Sequence, residues 1–170
     1  MKTKVLVEGG LCVALTYLLG WIVFWKMPQG GSIHAAHMVP IFFFALRRGP
    51  KAGILAGIAY GVLEFLIGEK YSLHPLSILL DYIVPGGALG LIGYAKPGRW
   101  NAVWMGFLAC VCRFISYTVS GAVVFGSYAP EGMNPWWYSL VYNLTVHPAD
   151  TILSLAVLAV LYPKIMSMRR

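Results

Sequence analysis

Residues 102–126 read AVWMGFLACVCRFISYTVSGAVVFG, a run of 25 positions that carries a single charge, Arg113. At ~1.5 Å of rise per residue such a run crosses the ~30 Å hydrocarbon core of a bilayer as one helix. Outward from it lie five more apolar stretches, Val5 to Trp25, Ile33 to Leu46, Ala52 to Gly68, Leu76 to Ala95 and Trp137 to Tyr162. With 59% hydrophobic and 11% charged residues, the 170-residue chain has too little polar surface to cover a water-soluble domain. The expected architecture is an all-α integral membrane protein, a compact bundle of six transmembrane helices forming one domain over 1–170. The second stretch is short and contains Pro40. It is expected to be kinked, flanked by irregular backbone facing a cavity, or packed inside protein.

The connections set the orientation. Lys2, Lys4, Arg47, Arg48, Lys51, Lys96, Arg99, Lys164, Arg169 and Arg170 fall on one side of the six spans, and only Lys26 and Lys70 on the other. The positive-inside rule then puts both termini in the cytosol of a multi-pass cell-membrane protein. That bias accounts for the net charge of +7 and leaves no basic face for nucleic acid. The first span starts like a secretory signal but ends at Trp25-Lys26-Met27-Pro28 without a small-residue cleavage site, so it reads as a retained helix. Cys12, Cys110 and Cys112 lie in apolar runs without a CxxC and read as packing residues. The pairs Gly30-Gly31 and Gly86-Gly87 lack P-loop spacing, so energy from nucleotide must come through a partner.

Polar residues inside apolar spans must find partners or water. Glu8, near a span end, reads as a structural ion pair. For Arg113, a pair with Asp150 or another carboxylate and a ligand role both stand. Asp81 lies in Leu79-Leu80-Asp81-Tyr82 below Glu69, Tyr71 and His74, and a carboxylate among aromatic faces suits a cation. Tyr82 alone would equally fit the aromatic belt at a membrane interface. The connection from Phe125 to Tyr138, punctuated by Gly and Pro, reads as a ligand lid. Tyr138 and Tyr142 share a helix face beyond it, and Asn143 offers an amide able to read a heterocycle's edge. His34 and His37 are three apart, but with no third ligand beside them no metal site is assigned. His74 and His147 each precede a proline and read as turn residues. No serine has a nucleophile-elbow context, and no enzyme activity or cofactor is expected.

Four stretches, taken together, resemble a known family. They are Met27-Pro28-Gln29-Gly30-Gly31-Ser32; Pro40-Ile41-Phe42 with Ala45-Leu46-Arg47-Arg48-Gly49 and Lys51-Ala52-Gly53; His74-Pro75 with Leu79-Leu80-Asp81-Tyr82 and Gly87-Ala88-Leu89-Gly90; and Arg113-Phe114-Ile115-Ser116 with Ser120-Gly121, Phe125-Gly126-Ser127-Tyr128-Ala129-Pro130 and Tyr138-Ser139-Leu140-Val141-Tyr142-Asn143. In these the chain is similar to the YuaJ-type, or ThiT, family, the thiamine-specific membrane S components of energy-coupling-factor transporters. The resemblance implies a six-helix bundle that captures thiamine from outside. Inward delivery requires docking on a transmembrane coupling subunit and two cytosolic ATPase subunits. It places substrate contacts at Asp81, Tyr82, Tyr138 and Asn143, a stacking aromatic at Phe125, and further aromatic positions at Tyr60 and Tyr71. Where the family pattern often has a histidine, this chain has Tyr117, which can stack and hydrogen-bond but not become cationic, so a different pH response is expected. The resemblance also implies docking through small residues of the first helix, here Gly10 and Ala14, with Gly9 widening the groove.

Thiamine itself joins a fixed thiazolium cation to an aminopyrimidine with donor and acceptor edges. A carboxylate, aromatic faces and an amide match those features, although another flat cationic or aminopyrimidine ligand would use the same inventory. The rival reading is a standalone ion-coupled transporter or channel working through Glu64 or Asp81. A membrane-embedded enzyme is a more distant third.

Overall fold

The computed structural model describes residues 3–27 and 31–168. Lys2, Arg169 and Arg170 of the charge count, and Pro28, Gln29 and Gly30 of the first family stretch, lie outside the described residues. The first helix, α1 (Thr3–Gly20), stops before Trp25. Val23–Lys26 instead forms strand β1, antiparallel to β2 (Ser32–His34), with Val23 opposite His34 and Lys26 opposite Ser32. The first and second apolar stretches are therefore shorter as helices than expected. Val23, Phe24 and Trp25 are strand-favouring residues, and an apolar run alone does not separate a short strand from a continuing helix.

Helix α2 (Val39–Arg48) holds Pro40 in its first turn, where a missing N–H costs nothing, so the proline starts the helix rather than kinking it. At ten residues it is too short to span a bilayer. Instead it packs inside protein, with Ile41, Phe42, Phe44 and Ala45 all buried. The helices long and apolar enough to span, among the described residues, are five: α1, α3 (Pro50–Ile67), α4 (Pro75–Tyr94), α5 (Arg99–Val123) and α6 (Pro135–Ser167). Six transmembrane helices is thus corrected to five of spanning length among the described residues, and the second, expected to be short, takes the packed-inside alternative. Glu8 pairs with both Arg47 and Arg48, joining α1 to the end of α2, and so takes the structural role read for it.

Glycine sets the distance between α3 and α4. A Cβ placed on Gly57 would stand 2.1 Å from the carbonyl oxygen of Gly86, and one on Gly61 2.1 Å from that of Tyr82. Backbones this close replace side-chain packing, the arrangement that small residues permit between helices in lipid.

Within α4, residues Ile78–Ile83 form a π-helical turn. The N–H of Val84 reaches back to the carbonyl of Leu79, and the next residue, Pro85, has no N–H to offer Leu80. The Ser116 hydroxyl of α5 donates to that orphaned carbonyl at 2.6 Å. A widened turn of this kind often marks a functional site, and this one contains Asp81.

Two further expectations are corrected. His147 is not a turn residue, because Pro148 lies inside α6 and the helix runs through it; membrane helices tolerate interior proline where neighbours and local adjustment satisfy the freed backbone. Cys12 and Cys110 are buried, but Cys112 is exposed on the outside of the bundle, where apolar side chains meet lipid rather than a core. The apolar core draws on Ile41, Phe42 and Leu46 of α2, Leu89 and Ile92 of α4, and Leu155 and Leu158 of α6. The opposite end, where the hairpin and the α3–α4 and α5–α6 connections converge, encloses a cavity.

Candidate functional site

The cavity is about 590 Å³, a size suited to a small organic ligand. Three helices present it with matched faces. Residues four apart lie one above the other, so α3 offers Tyr60 and Glu64, α5 offers Arg113, Tyr117 and Gly121, and α6 offers Ser139, Asn143 and His147, with Asp150 three further on. The α4 turn adds Ser77, Asp81 and Tyr82, and the hairpin adds Lys26, Ser32 and His34.

Asp81 is held by two hydroxyls. Ser77 donates at 2.5 Å and Ser120 at 2.8 Å, both to Oδ2, which leaves Oδ1 as the oxygen with capacity for a ligand. Tyr82 donates to the backbone carbonyl of Glu69 at 3.0 Å and meets Phe65 edge to face, so its ring is fixed in the cavity wall. Asn143 donates to the Ser139 carbonyl at 2.9 Å, and its Oδ1 lies 3.0 Å from Nε2 of His147. Tyr138 and Tyr142 sit with ring centres 6.3 Å apart, and the Tyr142 hydroxyl accepts the Gly31 N–H at 3.0 Å.

Tyr117 lies parallel to His147, ring centres 4.7 Å apart and 7° between planes, and its hydroxyl accepts from Arg113 at 3.1 Å. A histidine is thus present at this wall, but it comes from α6. Arg113 also donates to the Pro85 carbonyl at 3.4 Å, while Asp150 turns instead toward His34 and His37.

At the mouth, Lys26 of the hairpin reaches both carboxylate oxygens of Glu69, at 2.5 and 2.6 Å, and Tyr71 donates to the same carboxylate. The hydrogen bond to Lys26 holds the Glu69 carboxyl below its usual value, and the same bond raises the Lys26 amine. Phe125 and Tyr128 close the other side, ring centres 6.1 Å apart. Trp136 and Trp137 face outward, so the aromatic ends of the α5–α6 connection divide between cavity and exterior.

All eight residues expected at a substrate site, Tyr60, Tyr71, Asp81, Tyr82, Tyr117, Phe125, Tyr138 and Asn143, border this one cavity. Sequence reasoning passed over Ser77 and Ser120. Ser77 had a signal, a hydroxyl four residues before Asp81 on the same helix, whereas Ser120 on α5 shows only once the helices are packed. It also passed over the hairpin that carries Lys26 and Ser32 into the rim. Gly10 and Ala14 lie exposed on α1, and a Cβ on Gly10 would meet nothing within 4 Å. Gly9 does not widen that face: it points inward, where an added Cβ would stand 3.0 Å from the Phe44 ring.

Spanning helices around a polar, aromatic-walled cavity that opens at one end define a multi-pass membrane protein built to hold a small ligand. Comparison with known proteins narrows the class. The chain belongs to the thiamine transporter protein family Thia_YuaJ, whose model matches residues 6–170. It is 36% identical to the thiamine transporter ThiT of Bacillus subtilis, over 92% of this chain and 89% of that protein. It is 29% identical to the thiamine transporter ThiT of Lacticaseibacillus paracasei, over 73% of this chain and 70% of that one. Its fold matches the solved structure of ThiT from Listeria monocytogenes with a TM-score of 0.83 at 25% identity, covering 95% and 96% of the two chains.

Proposed function

We propose that this chain is the thiamine-capturing S component of an energy-coupling-factor vitamin transporter, with both termini in the cytosol and the cavity opening outside. The observation that carries the reading is the Asp81 carboxylate, clamped on one oxygen and facing a cavity walled by Tyr82, Tyr117, Phe125 and Tyr138. Thiamine fits that chemistry. The carboxylate accepts from the aminopyrimidine's amine, Asn143 reads the ring edge, and aromatic faces attract the thiazolium where water is excluded. Tyr60 and Tyr71 complete the wall at its inner and outer ends. The basic loops, Arg47 to Lys51 and Lys96 to Arg99, lie at the end away from the cavity, which supports an outward-facing mouth.

The chain acts as a binding subunit and performs no covalent chemistry. Delivery inward depends on two cytosolic ATPases acting through a transmembrane coupling subunit, and it is the coupling subunit that meets the exposed Gly10 and Ala14 face of α1. Small residues four apart let a partner helix approach closely in lipid.

The test is uptake of labelled thiamine by cells that lack their own thiamine import. Accumulation is expected only when the coupling module is expressed with this chain. Sustained accumulation by the chain alone would favour the standalone ion-coupled transporter and overturn this reading.

A further inference from the structure

The inner end of the cavity holds a second group of side chains, apart from the aromatic wall around Asp81. His34 ends β2, His37 lies just before α2, and Asp150 projects from α6, 116 residues from His34 in sequence. Their ligand-type atoms all lie within 4.8 Å of one another. Nδ1 of His34 stands 3.7 Å, and Nδ1 of His37 3.6 Å, from Oδ2 of Asp150. Both separations exceed a hydrogen bond, and both ring nitrogens are buried without a hydrogen-bond partner. His37 is 2% exposed and Asp150 3%. The carboxylate is oriented by its other oxygen, Oδ1, which accepts the backbone N–H of His34 at 3.1 Å. Buried imidazole nitrogens aimed at a fixed carboxylate oxygen and left unsatisfied call for an occupant between them.

We propose that His34, His37 and Asp150 bind a divalent transition-metal ion of the zinc class at the inner end of the cavity. Bonds of about 2.0 to 2.1 Å hold neighbouring ligand atoms roughly 3 to 3.5 Å apart, so the two histidine–carboxylate separations close with shifts of a few tenths of an ångström, while the widest spacing in the group, up to 4.8 Å, closes by about an ångström as the rings turn inward. Two imidazoles and one carboxylate suit zinc, cobalt or nickel better than calcium or magnesium, which prefer all-oxygen sites. All three residues also line the cavity, so the remaining coordination positions face its interior, as in open rather than closed structural sites. Charge agrees with this. Beyond the Lys26–Glu69 pair at the mouth, the lining carries three carboxylates, Glu64, Asp81 and Asp150, against the single guanidinium of Arg113. A dication offsets an excess that a singly charged ligand leaves incomplete. Sequence spacing shows only the two histidines, because the third ligand comes from the last helix.

The experiment uses the full chain, purified in detergent with its affinity tag removed and no imidazole present. After dialysis against zinc, mass spectrometry is expected to find about one ion per chain, and cobalt to give the intense visible bands of low-coordinate Co²⁺. His37→Ala and Asp150→Asn are each expected to weaken zinc binding by at least about tenfold, since even outer-shell changes reach that size. His74→Ala, an exposed histidine outside the cavity, is the control and should bind zinc as the unmodified chain does. Zinc no higher in the unmodified chain than in a metal-free dialysis would overturn the proposal. So would a cobalt spectrum matching the hydrated ion, or equal zinc in His37→Ala and Asp150→Asn. The cobalt spectrum needs no variant, so it decides the matter even if a substitution prevents folding.

Discussion

Among single side chains, Asp81 carries the reading of the cavity. Ser77 and Ser120 both donate to Oδ2, so the serines fix the carboxylate and leave Oδ1 with capacity for a ligand in the cavity that Asp81 lines. In Asp81→Asn the amide oxygen satisfies the serines, and an NH₂ group faces the ligand where an anion stood. Thiamine binding should weaken by about 1 to 3 kcal/mol, the size of a lost charge-assisted hydrogen bond, and calorimetry on the purified variant measures it. At the mouth, Glu69 is lowered and Lys26 raised by their mutual hydrogen bond. The Glu69 contribution is present above the usual 4.5 and lost as pH falls through the depressed value, while that of Lys26 is present below the usual 10.5 and lost as pH rises through the raised one. This pair should therefore leave thiamine association flat across neutral pH, with any loss confined to the two extremes. Stopped-flow association of thiamine with the chain and with Glu69→Gln would check this, and added salt should weaken so exposed a pair.

Among the elements, the α3–α4 contact carries the strongest mechanical constraint. Gly61→Ala drives a Cβ into the carbonyl oxygen of Tyr82, 2.1 Å away, and backbone cannot step aside as a flexible side chain can. A loss of about 1 to 3 kcal/mol in stability is expected, seen as a lower melting temperature in detergent, together with weaker thiamine binding because Tyr82 moves. The face of α1 predicts the opposite separation. Gly10→Trp adds bulk where nothing lies within 4 Å, so binding should survive while uptake with the coupling module is lost. Equal loss of both would move Gly10 from docking to folding. Helix α5, at 25 residues, was readable from hydropathy alone. The hairpin was not, because Val23 to Trp25 prolongs an apolar run and only pairing with Ser32 to His34 reveals a strand. The π-helical turn left one sequence trace, Pro85, whose missing N–H becomes informative only once Ser116 is seen to serve Leu80. Asp81 and Asn143 could be named in advance because charges and amides are rare in apolar spans, and Tyr138 because it shares a helix face with Tyr142 and falls in a stretch that resembles the family. The Ser120 and Asp150 contacts depend on how distant helices pack, which spacing does not show, whereas the Ser77 contact is an i,i+4 pair within α4.

At the scale of the whole molecule, the bundle has two unlike ends. One is a dry core of Ile41, Phe42, Leu89 and Leu158 beneath the basic loops, and the other is a walled cavity of about 590 Å³. That division suits a protein that holds its ligand at one face and leaves the work of moving it to partners. The central claim is that the isolated chain binds thiamine in this cavity. Thiamine titrated into the purified chain alone, in detergent and without any partner, should give saturable one-site binding, followed by intrinsic tryptophan fluorescence and unaffected by excess riboflavin. Absence of binding until a coupling module is added, or displacement by riboflavin as readily as by thiamine, would contradict the account.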